Sequence, residues 1–141
     1  MDKPAEAETI ADGISLDWLD KRRIAVFTVK TTRRVSIDAW IEKTKEVINL
    51  WPSQEPCLIM HDSSAKGAGT TPYMQSRLKE FDQLPGLATR PTYIAIILPS
   101  TFVSTLITLW VRNHKTVPNF ELSLFTSYAK GLEWLESKLI K

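Results

Sequence analysis

The segment Tyr93-Ile-Ala-Ile-Ile-Leu98 decides the fold class, because it is a continuous apolar run bounded by Pro91 and Pro99. An apolar run of this length without polar alternation is typical of a strand that is buried on both faces of a sheet. A second such run, Cys57-Leu-Ile-Met60, follows Pro56. Two strands of this kind predict a sheet that helices cover on both sides.

Helices are predicted between and after these strands. Apolar residues recur at spacings of three and four from Ile37 to Trp51, and Pro52 then ends the pattern. A third helix is expected to run to about Lys115. The expected N-caps of the four helices are Ser36, Thr71 before Pro72, Ser100 or Thr101, and Ser127.

An antiparallel hairpin is predicted near the N-terminus. Ile14, Leu16 and Trp18 alternate with polar residues, which indicates a half-buried strand. The charged segment 20–22 is interpreted as a turn, and residues 24–29 as the second strand of the hairpin.

With a last strand over residues 120–125, the predicted order is β-β-α-β-α-β-α-β-α. This order predicts an α/β fold, with a mixed, mostly parallel five-stranded sheet, an N-terminal antiparallel hairpin and four helices. Residues 1–11 are polar and are predicted to form a flexible N-terminal tail, followed by a single domain over residues 12–141.

Composition argues against several function classes. The chain has 18 Lys and Arg against 16 Asp and Glu, and this net charge of +2 does not predict a nucleic-acid partner. One cysteine excludes an internal disulfide framework, and the chain has no apolar run of about 18 residues that would predict stable membrane insertion. No signal peptide is apparent, so a cytoplasmic location is expected. No motif predicts a bound cofactor.

Three segments resemble the STAS domain and its SpoIIAA-like relatives, the anti-sigma factor antagonist-like family. They are the polar turn Met60-His61-Asp62-Ser63, the step Ile97-Leu-Pro-Ser-Thr-Phe102, and the closing strand and helix from Phe125 to Leu135. Together with the order of elements, the resemblance covers about residues 13–141. It implies a non-enzymatic, regulatory domain that binds other proteins or small ligands.

The resemblance also implies an alternative, a phospho-regulated anti-sigma factor antagonist. Such proteins carry a phosphorylated serine in an Asp-Ser-Ser-Gly turn that opens a helix. This chain has Asp62-Ser63-Ser64 without a following glycine, and Thr70 or Thr71 lies where the next helix opens. We therefore predict no stoichiometric phosphorylation of these residues.

A binding loop is predicted between the strand that ends near His61 and the helix that starts at Pro72. Ligands of open α/β sheets bind at this edge, and two glycines there can expose backbone amides to an anion. The alternative is that the glycines only satisfy turn geometry. The candidate binding residues are His61, Asp62, Ser63, Lys66, Gly67, Gly69, Thr70 and Thr71.

Catalysis and metal binding are not predicted. Cys57 and His61 are four residues apart along one strand, roughly 13 Å, which is too far for a nucleophile and its base. His114 is the only other histidine, so a histidine metal site has little support.

The predicted third helix is apolar around most of its circumference, which indicates burial on more than one side. Its outer stripe is expected to meet a second subunit or to line an apolar cavity; alternatively, the last helix covers it. The candidate interface or pocket residues are Phe102, Val103, Leu106, Leu109 and Trp110. The predicted function is protein–protein interaction, with a homodimer as one form. A carrier or sensor of a small apolar or amphipathic ligand is the alternative, and an enzyme is least expected.

Overall fold

The computed structural model describes residues 8–19, 21–52, 54–64, 72–78, 90–99 and 120–139. Within these ranges the chain forms one six-stranded sheet and three helices. The strands are β1 (Glu8–Ala11), β2 (Ile14–Leu19), β3 (Ile24–Val29), β4 (Cys57–Asp62), β5 (Thr92–Ile97) and β6 (Phe120–Phe125). The helices are α1 (Arg34–Leu50), α2 (Pro72–Leu78) and α3 (Tyr128–Glu136).

The strands lie side by side in chain order, from β1 at one edge to β6 at the other. The pairs β1–β2 and β2–β3 are antiparallel, and the pairs β3–β4, β4–β5 and β5–β6 are parallel. The carboxyl ends of β3, β4, β5 and β6 therefore meet at one edge of the sheet, which is the edge where the binding loop was predicted.

The predicted architecture of five strands and four helices is wrong. The additional strand is β1, which occupies the last four residues of the segment predicted to be a tail. Only Ile10 and Ala11 of this strand are apolar, too few to indicate a strand from sequence; they pack on the apolar core, and the backbone pairs with β2. The described residues hold two longer helices, α1 and α3, and the seven-residue α2. The predicted helix from residue 101 to about 115 lies outside them.

Both faces of the sheet are covered, because residues of β3, β4 and β5 alternate between two apolar clusters. The larger cluster lies under α1 and includes Phe27, Ile59 and Ile96 of the sheet. The smaller cluster lies under α3 and includes Met60 and Ile97. This two-sided burial is the reason why β4 and β5 are apolar without alternation.

The starts of α1 and α3 differ from each other in how well the sequence predicts them. Ser127 is the N-cap of α3, and its hydroxyl accepts a hydrogen bond from the Lys130 backbone over 3.3 Å. The predicted Ser36 cap of α1 is wrong, because α1 begins at Arg34. Ser36 is buried instead and donates from Oγ to the backbone carbonyl of Asp12 over 2.7 Å. The serine thus fastens the helix to the turn between β1 and β2.

Polar contacts fasten α2 to α1. The Tyr73 hydroxyl donates a hydrogen bond to Oδ1 of Asp38, and Arg77 pairs with the same carboxylate over 3.2 Å. Arg77 also reaches Glu42 over 3.3 Å, and the guanidinium of Arg34 lies 4.8 Å from the centre of the Tyr73 ring.

None of the helices in the described part of the chain is both long enough and apolar enough to cross a membrane.

Candidate functional site

The carboxyl edge of the sheet was predicted to hold the binding loop, and three of its candidate residues are described. Strand β4 extends through His61 to Asp62, so neighbouring side chains there point to opposite faces. His61 lies under α1, where it is fully buried. Asp62 is half-buried, and Ser63 is buried with its backbone N–H donating to the Ile97 carbonyl over 2.9 Å. These residues do not converge on a common point.

The other residues of the predicted loop lie outside the described residues, as do all the candidate residues of the third helix. They are Lys66, Gly67, Gly69, Thr70 and Thr71 of the loop, and Phe102, Val103, Leu106, Leu109 and Trp110 of the helix. The loop and third-helix hypotheses therefore stay predictions.

His61 belongs to the core. Its Nδ1 accepts a hydrogen bond from Nε1 of Trp40 over 3.0 Å, and its ring also lies 5.2 Å from the ring of Phe27. Burial lowers the pKa of His61 from its ordinary value of 6.5 to about 3, because the charged imidazolium would lose its hydration. A neutral, enclosed imidazole acts here as a hydrogen-bond acceptor for α1.

Cys57 is also a core residue. It is fully buried at the start of β4, and burial raises the pKa of its thiol to about 12, although the nearby Arg90 charge and a hydrogen bond with Thr92 act in the opposite direction. The thiolate is the reactive form of cysteine, so this environment suppresses nucleophilic chemistry.

Asp62 makes a local turn with Ser64. Its Oδ1 accepts hydrogen bonds from the Ser64 backbone N–H over 3.0 Å and from the Ser64 hydroxyl over 2.5 Å. A phosphoryl group on Ser64 would lie against the Asp62 carboxylate and be repelled by it.

Burial raises the pKa of the Tyr128 phenol, and the carboxylates of Asp62 and Asp17 raise it further.

A concave surface lies at the C-terminal end of α1, away from the carboxyl edge of the sheet. The tip of the β2–β3 hairpin and the C-terminal part of α1 enclose a groove of about 540 Å³, which we name the tip groove. It is lined by Glu8, Leu16, Trp18, Lys21, Arg22, Arg23, Lys43, Glu46, Val47, Leu50, Trp51, Pro52 and Glu55.

Two tryptophans form the apolar part of the tip groove. The ring centres of Trp18, on β2, and Trp51, directly after α1, lie 5.5 Å apart with the rings tilted by 36°. Trp51 is 5% exposed, so it belongs to the floor, whereas Trp18 is half-buried. Leu50 at the rim is 72% exposed, which is high for a large apolar side chain.

The basic part of the tip groove comes from the hairpin turn. The guanidinium of Arg22 lies 4.7 Å from the ring centre of Trp18, in a cation–π arrangement. Lys21 and Arg22 both have positive φ values, 58° and 65°, which side chains other than glycine, asparagine and aspartate rarely adopt. On the opposite wall, Lys43 lies 3.5 Å from a carboxylate oxygen of Glu8 and 3.5 Å from one of Glu46.

The alternation of β2 and the end of α1 contain a sequence signal for this groove. Leu16 and Trp18 share one face of β2, and that face meets α1, whose last turn ends in Leu50 and Trp51. The charged segment 20–22 was interpreted only as a turn. Only the tertiary structure places its basic residues beside the tryptophans, in the lining of the groove.

The described part of the chain offers no set of side chains that could ligate a metal ion. No three His, Cys, Asp or Glu side chains there are grouped so that they could hold a metal ion.

Searches of family models, of curated proteins and of solved structures each find no match to this chain. Nothing in them identifies a STAS domain, so the resemblance of the sequence to that family stays a prediction.

Proposed function

We propose that this chain is a non-enzymatic binding domain that acts by protein–protein interaction, and that the tip groove is its contact surface. The observation that carries the proposal is that Arg22 lies over Trp18 in a groove that the exposed Leu50 also lines. Tryptophan and arginine are among the residues most enriched where binding energy is concentrated at protein interfaces. The resemblance to SpoIIAA-like domains implies the same class of function.

Preorganisation supports the proposal further. The contact between Arg22 and Trp18 already restricts two long side chains, so less rotamer entropy is lost when a partner binds. The positive φ values of Lys21 and Arg22 cost folding free energy, and backbone strain of this kind is concentrated at functional sites. A turn that served only to connect two strands would be more stable with asparagine or glycine there.

A carrier of a small amphipathic ligand is the second candidate. The groove volume of about 540 Å³ falls within the usual range for small-molecule pockets, roughly 300–1,000 Å³. Native mass spectrometry of protein purified gently from its own cells separates the two candidates. A retained small molecule of defined mass favours the carrier, and a retained protein subunit favours the interaction domain.

Photo-crosslinking inside the native cells tests the interaction itself. Benzoylphenylalanine at position 50 places the reactive group on the groove rim. The matched control is position 35, because Val35 is 77% exposed, lies on the same helix, and is about 22 Å distant along its axis. We expect a discrete protein adduct from position 50 and not from position 35. The absence of a protein adduct at position 50, or the same adducts at both positions, would contradict the proposal.

A further inference from the structure

The charges around the tip groove are unevenly distributed. On the wall formed by β1 and α1, Lys43 lies between Glu8 and Glu46 and neutralises only one of these two carboxylates, and Glu55 lines the groove as well, so the acidic groups lie away from the hairpin tip. At the hairpin tip, Lys21, Arg22 and Arg23 are consecutive. Neither Lys21 nor Arg22 forms an ion pair with any residue in the described ranges, and both side chains are exposed. The tip therefore presents positive charge directly beside the apolar rim.

We propose that the occupant of the tip groove is an acidic segment of a partner protein, with an apolar side chain flanked by carboxylates. The inference rests on the proposed function and names the chemistry of the partner. The apolar side chain contacts Trp18 and Leu50, while the carboxylates pair with Lys21 and Arg22.

The geometry explains why both kinds of group are needed. The guanidinium of Arg22 covers one face of Trp18, so the cation and the aromatic surface lie within 4.7 Å of each other. A partner that contacts the indole therefore also meets the charge. A purely apolar segment would leave the guanidinium partly desolvated without an anion, and this costs binding free energy. A purely acidic segment would leave Leu50 exposed.

The concave shape favours a peptide segment over a membrane surface. The groove encloses about 540 Å³ between the hairpin and α1, and a flat lipid surface would contact only its rim. A peptide segment can lower a side chain between the walls, toward the floor formed by Trp51 and Val47.

A pair of synthetic peptides tests the chemistry. One has leucine and phenylalanine at its centre with glutamates on both sides, and the other has glutamines in place of the glutamates. We expect the acidic peptide to shift the backbone amide NMR signals of residues 18–22 and 47–51 at millimolar concentration. The glutamine peptide should bind at least about fivefold more weakly, because it loses several exposed charge pairs at once and each of them contributes modestly. Equal binding of the two peptides, or no shift in these segments, overturns the proposal.

Variants of the chain provide the second test. The double variant Lys21→Gln/Arg22→Gln should bind the acidic peptide about tenfold more weakly than the wild type. The matched control is Lys30→Gln/Lys130→Gln, which removes the same charge from exposed positions outside the groove lining and should bind as the wild type does. If the double variant does not fold, Lys21→Gln alone serves, because that side chain is exposed. Raising NaCl from about 50 to about 500 mM should weaken wild-type binding. Unchanged affinity in either experiment counts against an acidic partner.

A lipid experiment and a crosslinking experiment separate the remaining outcomes. Vesicles of phosphatidylcholine with phosphatidylserine are compared with vesicles of phosphatidylcholine alone. If the protein binds the anionic vesicles, loses that binding in Lys21→Gln/Arg22→Gln and does not respond to the peptide, the partner is a membrane and the proposal of an acidic protein segment is wrong. If the position-50 adduct persists undiminished in the Lys21→Gln/Arg22→Gln background, the interaction surface stands and the acidic chemistry falls. No adduct from the wild type removes the proposed function itself.

Discussion

The indole N–H of Trp40 on α1 donates a hydrogen bond to Nδ1 of His61 on β4 over 3.0 Å, and both side chains are buried. The bond joins α1 to a central strand across the main apolar cluster. It requires a neutral His61, because a protonated Nδ1 cannot accept a hydrogen bond.

This pair predicts that acid destabilises the protein through His61. The pKa of His61 is lowered from 6.5 to about 3 in the folded state, so only the unfolded chain takes up the proton between these values. The contribution to stability is therefore present in full above pH 6.5 and is lost as pH falls toward about 3. The expected slope is about 1.4 kcal/mol per pH unit for one proton. Urea unfolding between pH 7 and pH 4 measures it.

His61→Gln is the control for that measurement, since a glutamine oxygen can accept the Trp40 hydrogen bond and does not titrate. The carboxylates contribute equally to both proteins, so the slope difference between wild type and variant isolates His61. The same pH dependence in both proteins would show that His61 is not the titrating group.

Cys57 is predicted to be unreactive in the folded protein. The residue is fully buried and burial raises its pKa to about 12, so its thiolate is scarce at neutral pH. Ellman's reagent should modify it only after unfolding in urea. Ser64→Cys in a Cys57→Ala background is the exposed control and should react at once under native conditions. Rapid native modification of the wild type would place the thiol at the surface.

Gly131→Ala is predicted to destabilise the protein, although alanine is normally the better helix former by about 1 kcal/mol. A Cβ at position 131 would overlap Cδ1 of the buried Ile97, because α3 packs closely on β5. We expect a loss of about 1–2 kcal/mol in the free energy of unfolding. Ile97→Val removes that methyl group, so Gly131→Ala should cost less in the Ile97→Val background. Additive effects of the two changes would show that the close approach is not the cause.

Lys21→Asn is predicted to stabilise the fold. Lys21 has a φ of 58°, and asparagine adopts this conformation more readily than lysine, so a gain of about 0.5–1 kcal/mol is expected. Lys30→Asn removes the same charge at a position without positive φ and should bring no gain. Thermal unfolding of the two variants compares them directly. A gain at position 21 accompanied by weaker partner binding would indicate that the strained turn is retained for function.

The interactions that were predicted well are those between residues close in the chain. Ser127 caps α3, and α1 ends at Leu50 just before Trp51 and Pro52, because capping and proline geometry act within one or two turns. The continuous apolar runs of β4 and β5 correctly predicted that these strands are buried on both faces of the sheet. Composition and periodicity therefore determined the α/β class and most element positions.

The sequence by itself therefore determined where backbone periodicity and local capping place strands and helices. Only the tertiary structure decided that β1 pairs with β2, since Glu8 and Thr9 are exposed and two apolar residues, Ile10 and Ala11, are too few to show the alternation of a strand. It also brought together Trp40 with His61, 21 residues apart, and Trp18 with Trp51, 33 residues apart. Such pairs depend on strand order and on the path of α1 across the sheet. No local propensity encodes them, so the core histidine and the tip groove emerge only after folding.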